Sequence, residues 1–137
     1  MAYERTLIMI KPDGVSRFLV GEILSRFEKR GFKLQRLEML SFDVAKAQEF
    51  YSPHLGKPFF PELEKFITSG PVVAAVLEGN NAVEVVRRMI GATKSFEAMS
   101  GTIRGDYALG ITDNVIHASD SQESFVRESK VIFPGSE

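Results

Sequence analysis

The sequence predicts one α/β sandwich domain, and two observations support this prediction. Segments with strand character and segments with helical spacing alternate in the order strand, helix, strand, two short helices, strand, helix, long loop, strand, helix. The chain has 137 residues, 44% of them hydrophobic, which is enough for one packed core and too little for two ordinary domains. We therefore expect residues 1–137 to form a single domain, with parallel and antiparallel strand pairing both still open.

The first third of the chain predicts two strands joined by a helix. Residues 6–10 (TLIMI) are continuously apolar and end at the turn sequence KPDG, as in a buried strand followed by a turn. Apolar residues then repeat at helical spacing over 20–27, and Gly31 is placed to end this helix. Strand character returns over 32–42, where the apolar spacing slips between residues 34 and 37 and predicts a bulge or a strong twist.

The middle of the chain predicts two short helices and a buried strand. Asp43 can cap a helix over 44–51, and Pro61 is typical of the first turn of the next helix. The adjacent Phe59 and Phe60 precede that helix, and their position favours a hydrophobic staple over a platform for a flat ligand. Residues 72–77 (VVAAVL) are apolar on both faces, which indicates a buried strand.

A helix with a complete apolar stripe follows, and then a long loop. Asn81 and Glu84 predict a capping box at the start of the helix, whereas Arg87 and its neighbour Arg88 lie off the stripe, as on a solvated face. Residues 91–105 have neither helical nor strand spacing, and loops of this length are usually functional or mobile. Glycines flank Arg104 in the sequence GTIRG and predict that the backbone there comes close to a ligand.

The last part of the chain predicts two extended segments and a helix around a histidine. Residues 107–111 and 115–116 have strand character, and a final helix is expected over 120–130. Ser119 and Gln122 fit a capping box, which would put His117 just before a helix N-terminus. The field of such a terminus would keep the imidazole neutral and attract an anion such as phosphate, whereas the simpler interpretation is a buried histidine bonded to backbone.

The composition excludes several classes of function. The formal net charge is -1 without a basic stretch, so we expect no sequence-independent nucleic-acid binding. The chain has no cysteine and only two histidines, His54 and His117, which excludes disulfides and thiolate catalysis and argues against a structural metal. The N-terminal apolar stretch is too short for a signal peptide or a membrane span, so we expect a cytoplasmic protein.

The charged residues at element ends indicate phosphate chemistry without an ordinary phosphate-binding loop. The sequence lacks GxxxxGK[ST], a GxGxxG after a strand, and the HRD motif of protein kinases. Lys11, Arg87, Arg104 and, less clearly, Arg88 could instead clamp phosphates through their side chains. A neutral His117 beside them could attack a terminal phosphoryl group, or act as a general base in hydrolysis with Asp120 as its only nearby carboxylate.

Three motifs together resemble the nucleoside diphosphate kinase family. They are TLIMIKPDG, GTIRGDY and NVIHASDS, and the resemblance extends from about Glu4 to Phe133. It implies a ferredoxin-like βαββαβ fold with a four-stranded antiparallel sheet covered by helices. It also implies Mg²⁺-dependent, ping-pong transfer of the γ-phosphate of a nucleoside triphosphate, typically ATP, to a nucleoside diphosphate, with assembly into a homotetramer or homohexamer.

The resemblance also implies roles for individual residues. His117 matches the phosphorylated histidine, and Glu128 matches the acid that orients its ring. Phe59 matches the aromatic residue that stacks on the base, which replaces the staple interpretation, and Leu63 and Ile111 complete an apolar slot. The remaining matches serve the phosphates, the histidine and the sugar hydroxyls, and they are Lys11, Tyr51, His54, Arg87, Thr93, Arg104 and Asn114. No protein side chain is implied as a metal ligand, since the nucleotide phosphates carry Mg²⁺.

Two positions depart from the family pattern. Ala118 follows the histidine where glycine is usual, and its methyl group requires a negative φ. Residues 94–100 (KSFEAMS) occupy a loop in which many members carry prolines. An alternative hypothesis from another class is a ferredoxin-like regulatory module that binds nucleotide without turnover, although mere binding does not need a nucleophilic histidine.

Overall fold

The computed structural model describes residues 2–135 and contains a four-stranded antiparallel sheet. Its strands are β1 (Tyr3–Ile10), β2 (Lys33–Leu40), β3 (Val72–Asn80) and β4 (Ile116–Ala118). They lie in the order β2-β3-β1-β4, with β1 paired to both β3 and β4. The sheet confirms the predicted ferredoxin-like arrangement and settles the question of parallel or antiparallel pairing.

Seven α-helices are assigned within residues 2–135. They are α1 (Pro12–Ser16), α2 (Val20–Arg30), α3 (Val44–Phe50), α4 (Phe60–Ile67), α5 (Ala82–Ile90), α6 (Ile103–Tyr107) and α7 (Gln122–Ile132). Two 3₁₀ turns lie at Ser52–His54 and Ser95–Glu97. None of these helices has the length and apolar character needed to cross a membrane.

The two faces of the sheet pack into separate cores, as the two-residue period of a strand requires. In β1, Leu7 and Met9 point to the core formed with α3, α4 and α7, whereas Ile8 and Ile10 point to the core formed with α2 and α5. All four side chains are fully buried. β1 is therefore one of the two inner strands of the sheet, with β3, and the residue that follows it, Lys11, is buried.

Several local predictions are confirmed. Gly31 ends α2 with a φ of 113°, the left-handed conformation that favours glycine. The register of β2 against β3 shifts between Leu34 and Arg36, where the apolar spacing slips. The Asp43 side chain accepts a hydrogen bond from the Lys46 backbone N–H at 2.7 Å and caps α3.

Both predicted capping boxes are wrong, because the Asn81 and Ser119 side chains bind residues outside the predicted boxes. Asn81 has a φ of 51°, and its Oδ1 accepts from the Ala2 backbone N–H instead of capping α5. The Ser119 hydroxyl donates to Glu128, so the N-cap of α7 is Ser121, whose oxygen accepts from the Ser124 backbone N–H at 3.0 Å. The last helix therefore begins at Gln122, two residues after the predicted start at residue 120.

Two predicted extended or irregular segments fold differently. The KPDG turn continues into the short helix α1, and the strand predicted over 107–111 is wrong because Tyr107 ends α6. The Thr102 side chain accepts from the Gly105 backbone N–H at 3.0 Å and caps α6, which converts the end of the long loop into a helix. Arg104 thereby acquires a rigid support.

Candidate active site

One cavity of about 550 Å³ is lined by every site residue that the resemblance to the family implies. The residues come from the end of β1, from α3 to α6 and the connections between them, and from β4 and α7. They are Lys11, Tyr51, His54, Phe59, Leu63, Arg87, Thr93, Arg104, Ile111, Asn114, His117 and Glu128. Residues that are widely spaced in the chain thus share one concave surface.

His117 and Glu128 are joined by a hydrogen bond across the β4–α7 connection. His117 lies in β4 opposite Met9 of β1, and its Nε2 is 3.0 Å from Glu128 Oε1. The Ser119 hydroxyl donates to the same carboxylate oxygen at 2.6 Å. Burial alone would raise the pKa of Glu128, but the His117 ring, the Ser119 hydroxyl and the nearby Arg127 outweigh it and lower that pKa. The carboxylate is therefore ionised when it faces the ring.

The second nitrogen of His117 is available to a ligand. Within residues 2–135, Nδ1 makes no hydrogen bond, and the side chain is 21% exposed at the cavity. The rings of Phe50 and Tyr51 pack edge-on against the imidazole, with centroids 5.2 and 6.2 Å away. The ring is therefore fixed on three sides and reachable on the fourth, which does not fit a buried histidine bonded to backbone.

Asp120 does not support the hydrolytic alternative. Its Oδ1 accepts from the Ser124 hydroxyl, and no hydrogen bond joins it to His117 in the described part of the chain. The hydrogen bond from Ser124 is the main reason that the pKa of Asp120 is lowered. The histidine is oriented by Glu128, eleven residues further along the chain.

A strained residue precedes the histidine strand. Val115 is buried and has a φ of 73°, a conformation that costs a β-branched residue about 1–3 kcal/mol. Its backbone N–H donates to Asp13 Oδ2 at 3.1 Å, and its carbonyl accepts from the Lys11 backbone N–H at 2.8 Å. The resulting tight turn directs the Asn114 side chain into the cavity, where its Oδ1 accepts from Lys11 Nζ at 2.8 Å.

Three cations in the cavity lack a carboxylate partner within residues 2–135. Lys11 donates to Asn114 and to the Thr112 carbonyl, Arg87 donates to the Ala118 carbonyl, and Arg104 donates to three backbone carbonyls. Burial, and then Arg104, lower the pKa of Lys11 to about 8. Burial, and then Arg87, lower the pKa of Arg104 to about 10, so its guanidinium is charged at neutral pH. Lys11 and Arg104 are buried, whereas Arg87 is exposed at the rim of the cavity. Buried positive charges without an acidic partner are typical of an anion-binding site.

The outer end of the cavity is apolar. Phe59 at the N-terminus of α4 is 48% exposed, whereas its neighbour Phe60 is buried in the core. Leu63 is buried on α4, and Ile111 is half-exposed in the connection that faces it. Of the two adjacent phenylalanines, Phe60 therefore packs into the core, and Phe59 remains available as a flat surface.

The glycines around Arg104 serve the protein backbone itself. A Cβ atom at Gly105 would overlap the Met99 carbonyl group, and Gly101 has a φ of 98°. The close approach at Gly105 is thus between two segments of the chain, and the approach of this backbone to a ligand stays a prediction. Their effect on the cavity is indirect, because they allow α6 to present Arg104.

Three residues around the histidine were not predicted for the site. Phe50 packs on the ring, Ser119 donates to Glu128, and Arg127 lies beside the Glu128 carboxylate. The sequence pattern indicates a helix cap at Ser119 and places Phe50 within a helix, with no sign of a role in the site. Only the three-dimensional position of α7 beside α3 brings them together, and no spacing in the sequence indicates this.

The described residues hold no group of three or more histidine, cysteine, aspartate or glutamate side chains placed to bind a metal ion. The cavity therefore offers cations to phosphates and does not itself form a metal cage. This donor set fits a Mg²⁺ ion that arrives with its ligand, since Mg²⁺ in nucleotide sites is held largely by phosphate oxygens and water.

An antiparallel α/β sandwich with a carboxylate-oriented histidine beside unpaired cations defines a phosphotransferase that uses a histidine. A family model described as nucleoside diphosphate kinase matches residues 4–137. The chain belongs to the nucleoside diphosphate kinase family. It is 59% identical over 137 residues to a nucleoside diphosphate kinase of Staphylothermus marinus, covering 100% of this chain and 97% of that relative.

Solved structures of the family have the same fold. The nucleoside diphosphate kinase of Aquifex aeolicus superposes with a TM-score of 0.94 at 47% identity, covering 98% of this chain and 97% of that chain. A halophilic nucleoside diphosphate kinase from Halobacterium salinarum in complex with CDP has a TM-score of 0.93 at 44% identity, covering 97% and 89%. Ala118, where the family usually has glycine, lies in β4 with a negative φ, so its methyl group is compatible with the backbone.

Proposed function

We propose that this protein transfers the γ-phosphate of a nucleoside triphosphate, typically ATP, to a nucleoside diphosphate through a phosphohistidine at His117. The observation that carries the proposal is the asymmetry of the ring. Nε2 is bonded to the ionised Glu128, while Nδ1 opens on a cavity with three cations that have no carboxylate partner within residues 2–135. Membership of the family supports this activity over the alternative of a binding module without turnover.

In the first half-reaction, Nδ1 of His117 attacks the γ-phosphorus. The Nδ1–P bond forms as the bond to the β–γ bridging oxygen breaks, and the nucleoside diphosphate leaves with that oxygen. The ring becomes positively charged in this step. Glu128 accepts the Nε2–H hydrogen bond at 3.0 Å and stabilises that charge. The second half-reaction reverses these steps with a different nucleoside diphosphate as the acceptor.

The cations of the cavity hold the phosphates in line with His117. Lys11, Arg87 and Arg104 would neutralise the charge that spreads over the transferring phosphoryl group, with Thr93, Asn114, Tyr51 and His54 as further polar contacts. Mg²⁺ bound to the nucleotide phosphates would add neutralising charge and help to fix their geometry. Removing one such electrostatic contact typically costs about 3 kcal/mol in the transition state.

The apolar end of the cavity accounts for the nucleotide base. Phe59 offers a flat surface for stacking, and Leu63 and Ile111 offer apolar contacts. Stacking does not depend on base identity, so we expect the protein to accept nucleotides with several different bases. It would then help to maintain the cellular pools of nucleoside and deoxynucleoside triphosphates.

The direct test is the phosphoenzyme. Incubation with γ-labelled ATP and Mg²⁺ should give an acid-labile labelled protein in the wild type and none in His117→Ala. Double-reciprocal plots at several fixed acceptor concentrations should be parallel, as ping-pong transfer requires. Label that persists in His117→Ala would remove this residue from its role, and intersecting lines would exclude ping-pong transfer.

We also propose that the chain is a single domain over residues 1–137 that assembles as a homotetramer or homohexamer in the cytoplasm, where its nucleotide substrates are found. Two cores sharing one sheet support the single domain, although residues 1, 136 and 137 lie outside the described part. The eight-residue edge strand β2 supports assembly, because its Leu37 and Met39 are 51% and 60% exposed. Native mass spectrometry distinguishes the two assemblies and a monomer.

A further inference from the structure

Arg127 lines the cavity beside the histidine, and phosphoryl transfer as described makes no use of it. It precedes Glu128 on α7, and its side chain is 35% exposed. One guanidinium nitrogen, Nη1, donates to the Phe50 carbonyl at 2.8 Å, and the other, Nη2, lies 3.5 Å from Glu128 Oε2. The planar fork of arginine thus spans two groups that surround His117.

The contacts of Glu128 are divided between its two oxygens. Oε1 accepts from the Ser119 hydroxyl at 2.6 Å and faces His117 Nε2 at 3.0 Å. Oε2 faces only Arg127 among the contacts within residues 2–135. Ser119 and His117 both act on Oε1, so among the described residues only Arg127 restrains Oε2. Without Arg127 the carboxylate can pivot about Oε1, and the angle of its hydrogen bond with the ring can change.

The second contact of Arg127 is with Phe50, which packs against the same His117 ring. The Phe50 side chain packs edge-on against His117 with centroids 5.2 Å apart, and its carbonyl is the group to which Arg127 donates. Phe50 is the last residue of α3, whereas Arg127 is in the middle of α7. The guanidinium therefore joins the two helices at the level of the imidazole.

We propose that Arg127 is a positioning residue that fixes the Glu128 carboxylate and the Phe50 wall, and through them the attacking geometry of His117. This inference rests on the proposed function of His117 as the phosphoryl acceptor. Arg127 acts through Glu128 and Phe50 and not by contact with the nucleotide phosphates. Errors of about 1 Å in the position of a reacting group can cost about 100-fold in rate, so a residue of this kind has a measurable kinetic effect.

The role predicts a signature in pH that a purely structural contact would lack. The groups that face the Glu128 carboxylate are His117, Tyr51, Ser119 and Arg127. Burial raises the pKa of Glu128, and the Arg127 charge is one of the causes that lower it. The pKa should therefore rise when the Arg127 charge is removed. The acid limb of the rate of phosphohistidine formation should then move to higher pH.

The experiment measures single-turnover phosphorylation of His117 by ATP and Mg²⁺ across a pH series. Arg127→Met retains the length of the side chain without its charge, and we expect the rate constant to fall by about 10- to 100-fold. Arg127→Lys retains the charge but can reach only one of the two partners, so it should give an intermediate rate. The matched control is Lys130→Met, an exposed residue of the same helix, which should leave the rate unchanged.

A double-mutant cycle separates positioning from the alternatives. In a Glu128→Gln background, Arg127→Met should lower the rate by only about threefold or less, because its main partner is already altered. A full additional loss there, or weaker ADP binding in Arg127→Met with an unmoved acid limb, would assign Arg127 to the phosphates and overturn the proposal. An unchanged rate in Arg127→Met would also overturn it.

A measurement that does not depend on enzymatic activity tests the inference separately from the proposed function. ¹³C NMR of the Glu128 carboxyl in the nucleotide-free protein should show a higher pKa in Arg127→Met than in the wild type and in Lys130→Met. If the wild type forms no phosphohistidine, the proposed function fails while this titration still tests the positioning contact. If Arg127→Met does not fold, the Glu128 titration and the single-turnover rate are measured in Arg127→Lys instead.

Discussion

Lys11 combines a positive charge with burial, and this combination makes it sensitive to pH. Its Nζ donates to Asn114 Oδ1 at 2.8 Å and has no carboxylate partner within residues 2–135. Burial is the largest cause that lowers its pKa from 10.5 to about 8, followed by Arg104. The residue therefore loses its charge in a range where an exposed lysine keeps it.

We predict that the affinity for ADP falls as the pH rises through about 8. Only about a tenth of Lys11 would remain protonated one unit above that value, so the dissociation constant should rise by up to about tenfold between pH 7 and pH 9. Isothermal titration calorimetry at constant ionic strength measures this change. Lys11→Met should bind more weakly at every pH and lose this dependence, and an equal dependence in that variant would refute the assignment.

The stability of the nucleotide-free protein should change in the opposite direction. Between pH about 8 and 10.5 the unfolded chain keeps the Lys11 proton that the folded chain has released. The unfolded state then binds more protons, so the contribution of Lys11 to the free energy of unfolding rises with pH across that window. Denaturant unfolding measures the free energy of unfolding of the wild type and of Lys11→Met at pH 7.5 and 9.5. The value for the variant minus the value for the wild type should be smaller at the higher pH.

At the scale of single elements, α6 carries Arg104 through a backbone contact that only glycine permits. A Cβ at Gly105 would overlap the Met99 carbonyl and approach the Thr102 side chain that caps the helix. Displacement of α6 would weaken the bonds of Arg104 to the Gly91 and Ile116 carbonyls, which measure 2.9 and 2.6 Å. The glycine is thus a condition for the position of Arg104, the cation that we propose to contact the phosphates.

We predict that Gly105→Ala destabilises the protein by about 2–4 kcal/mol and weakens ADP binding. Gly21→Ala is the matched control, because an added Cβ there meets nothing within 4 Å and Gly21 lies inside α2. That change should stabilise the protein by about 0.5–1 kcal/mol without altering ADP affinity. Chemical denaturation and calorimetry measure both effects. Equal behaviour of the two variants would contradict the role assigned to the Gly105 contact.

The same scale shows what sequence patterns can and cannot predict. The C-terminus of α2 at Gly31 and the Asp43 cap of α3 depend on neighbouring residues only, and both were predicted. The caps expected at Asn81 and Ser119 failed because those side chains have partners 79 and 9 residues away. Local rules cannot anticipate such partners, since the competing hydrogen bond exists only after the chain has folded.

The candidate site followed from the resemblance to a family more than from spacing. Local reasoning singled out His117 and the cations at element ends, but it interpreted Phe59 as a staple and did not connect Glu128 with the histidine. The cavity contains all of these residues, and it also contains Arg127, which neither approach had named. Residues that position other side chains, such as Arg127, are the hardest to recognise in a single sequence.

At the scale of the whole molecule, the cavity is built from segments of both cores. The phosphates would contact Lys11 after β1, Arg87 of α5 and Arg104 of α6, whereas the base would contact Phe59 at the start of α4. A nucleotide bound in this way would bridge helices on opposite faces of the sheet. Ligands that bind only the folded state stabilise all of the structure that forms their site.

We predict that ADP with Mg²⁺ raises the melting temperature of the wild type by about 10 °C at a concentration of about 100 times its dissociation constant. Adenosine, which has the base and sugar but no phosphate, should give a much smaller shift because it leaves the cations without a partner. Differential scanning calorimetry provides the measurement, with Arg88→Met as a control, because Arg88 forms an exposed pair with Glu84 and should leave the shift unchanged. A similar shift with adenosine would mean that the cations are not the main binding groups.

The bond between Glu128 and Nε2 has a consequence for the chemical identity of the product. An imidazole offers two sites of substitution, and the resulting N-phosphorylated positional isomers are different compounds. Because the Glu128 side chain occupies one site, the folded protein sets the regiochemistry of the proposed modification before any substrate arrives. Every donor nucleotide, whatever its base, would therefore yield the same isomer on this chain.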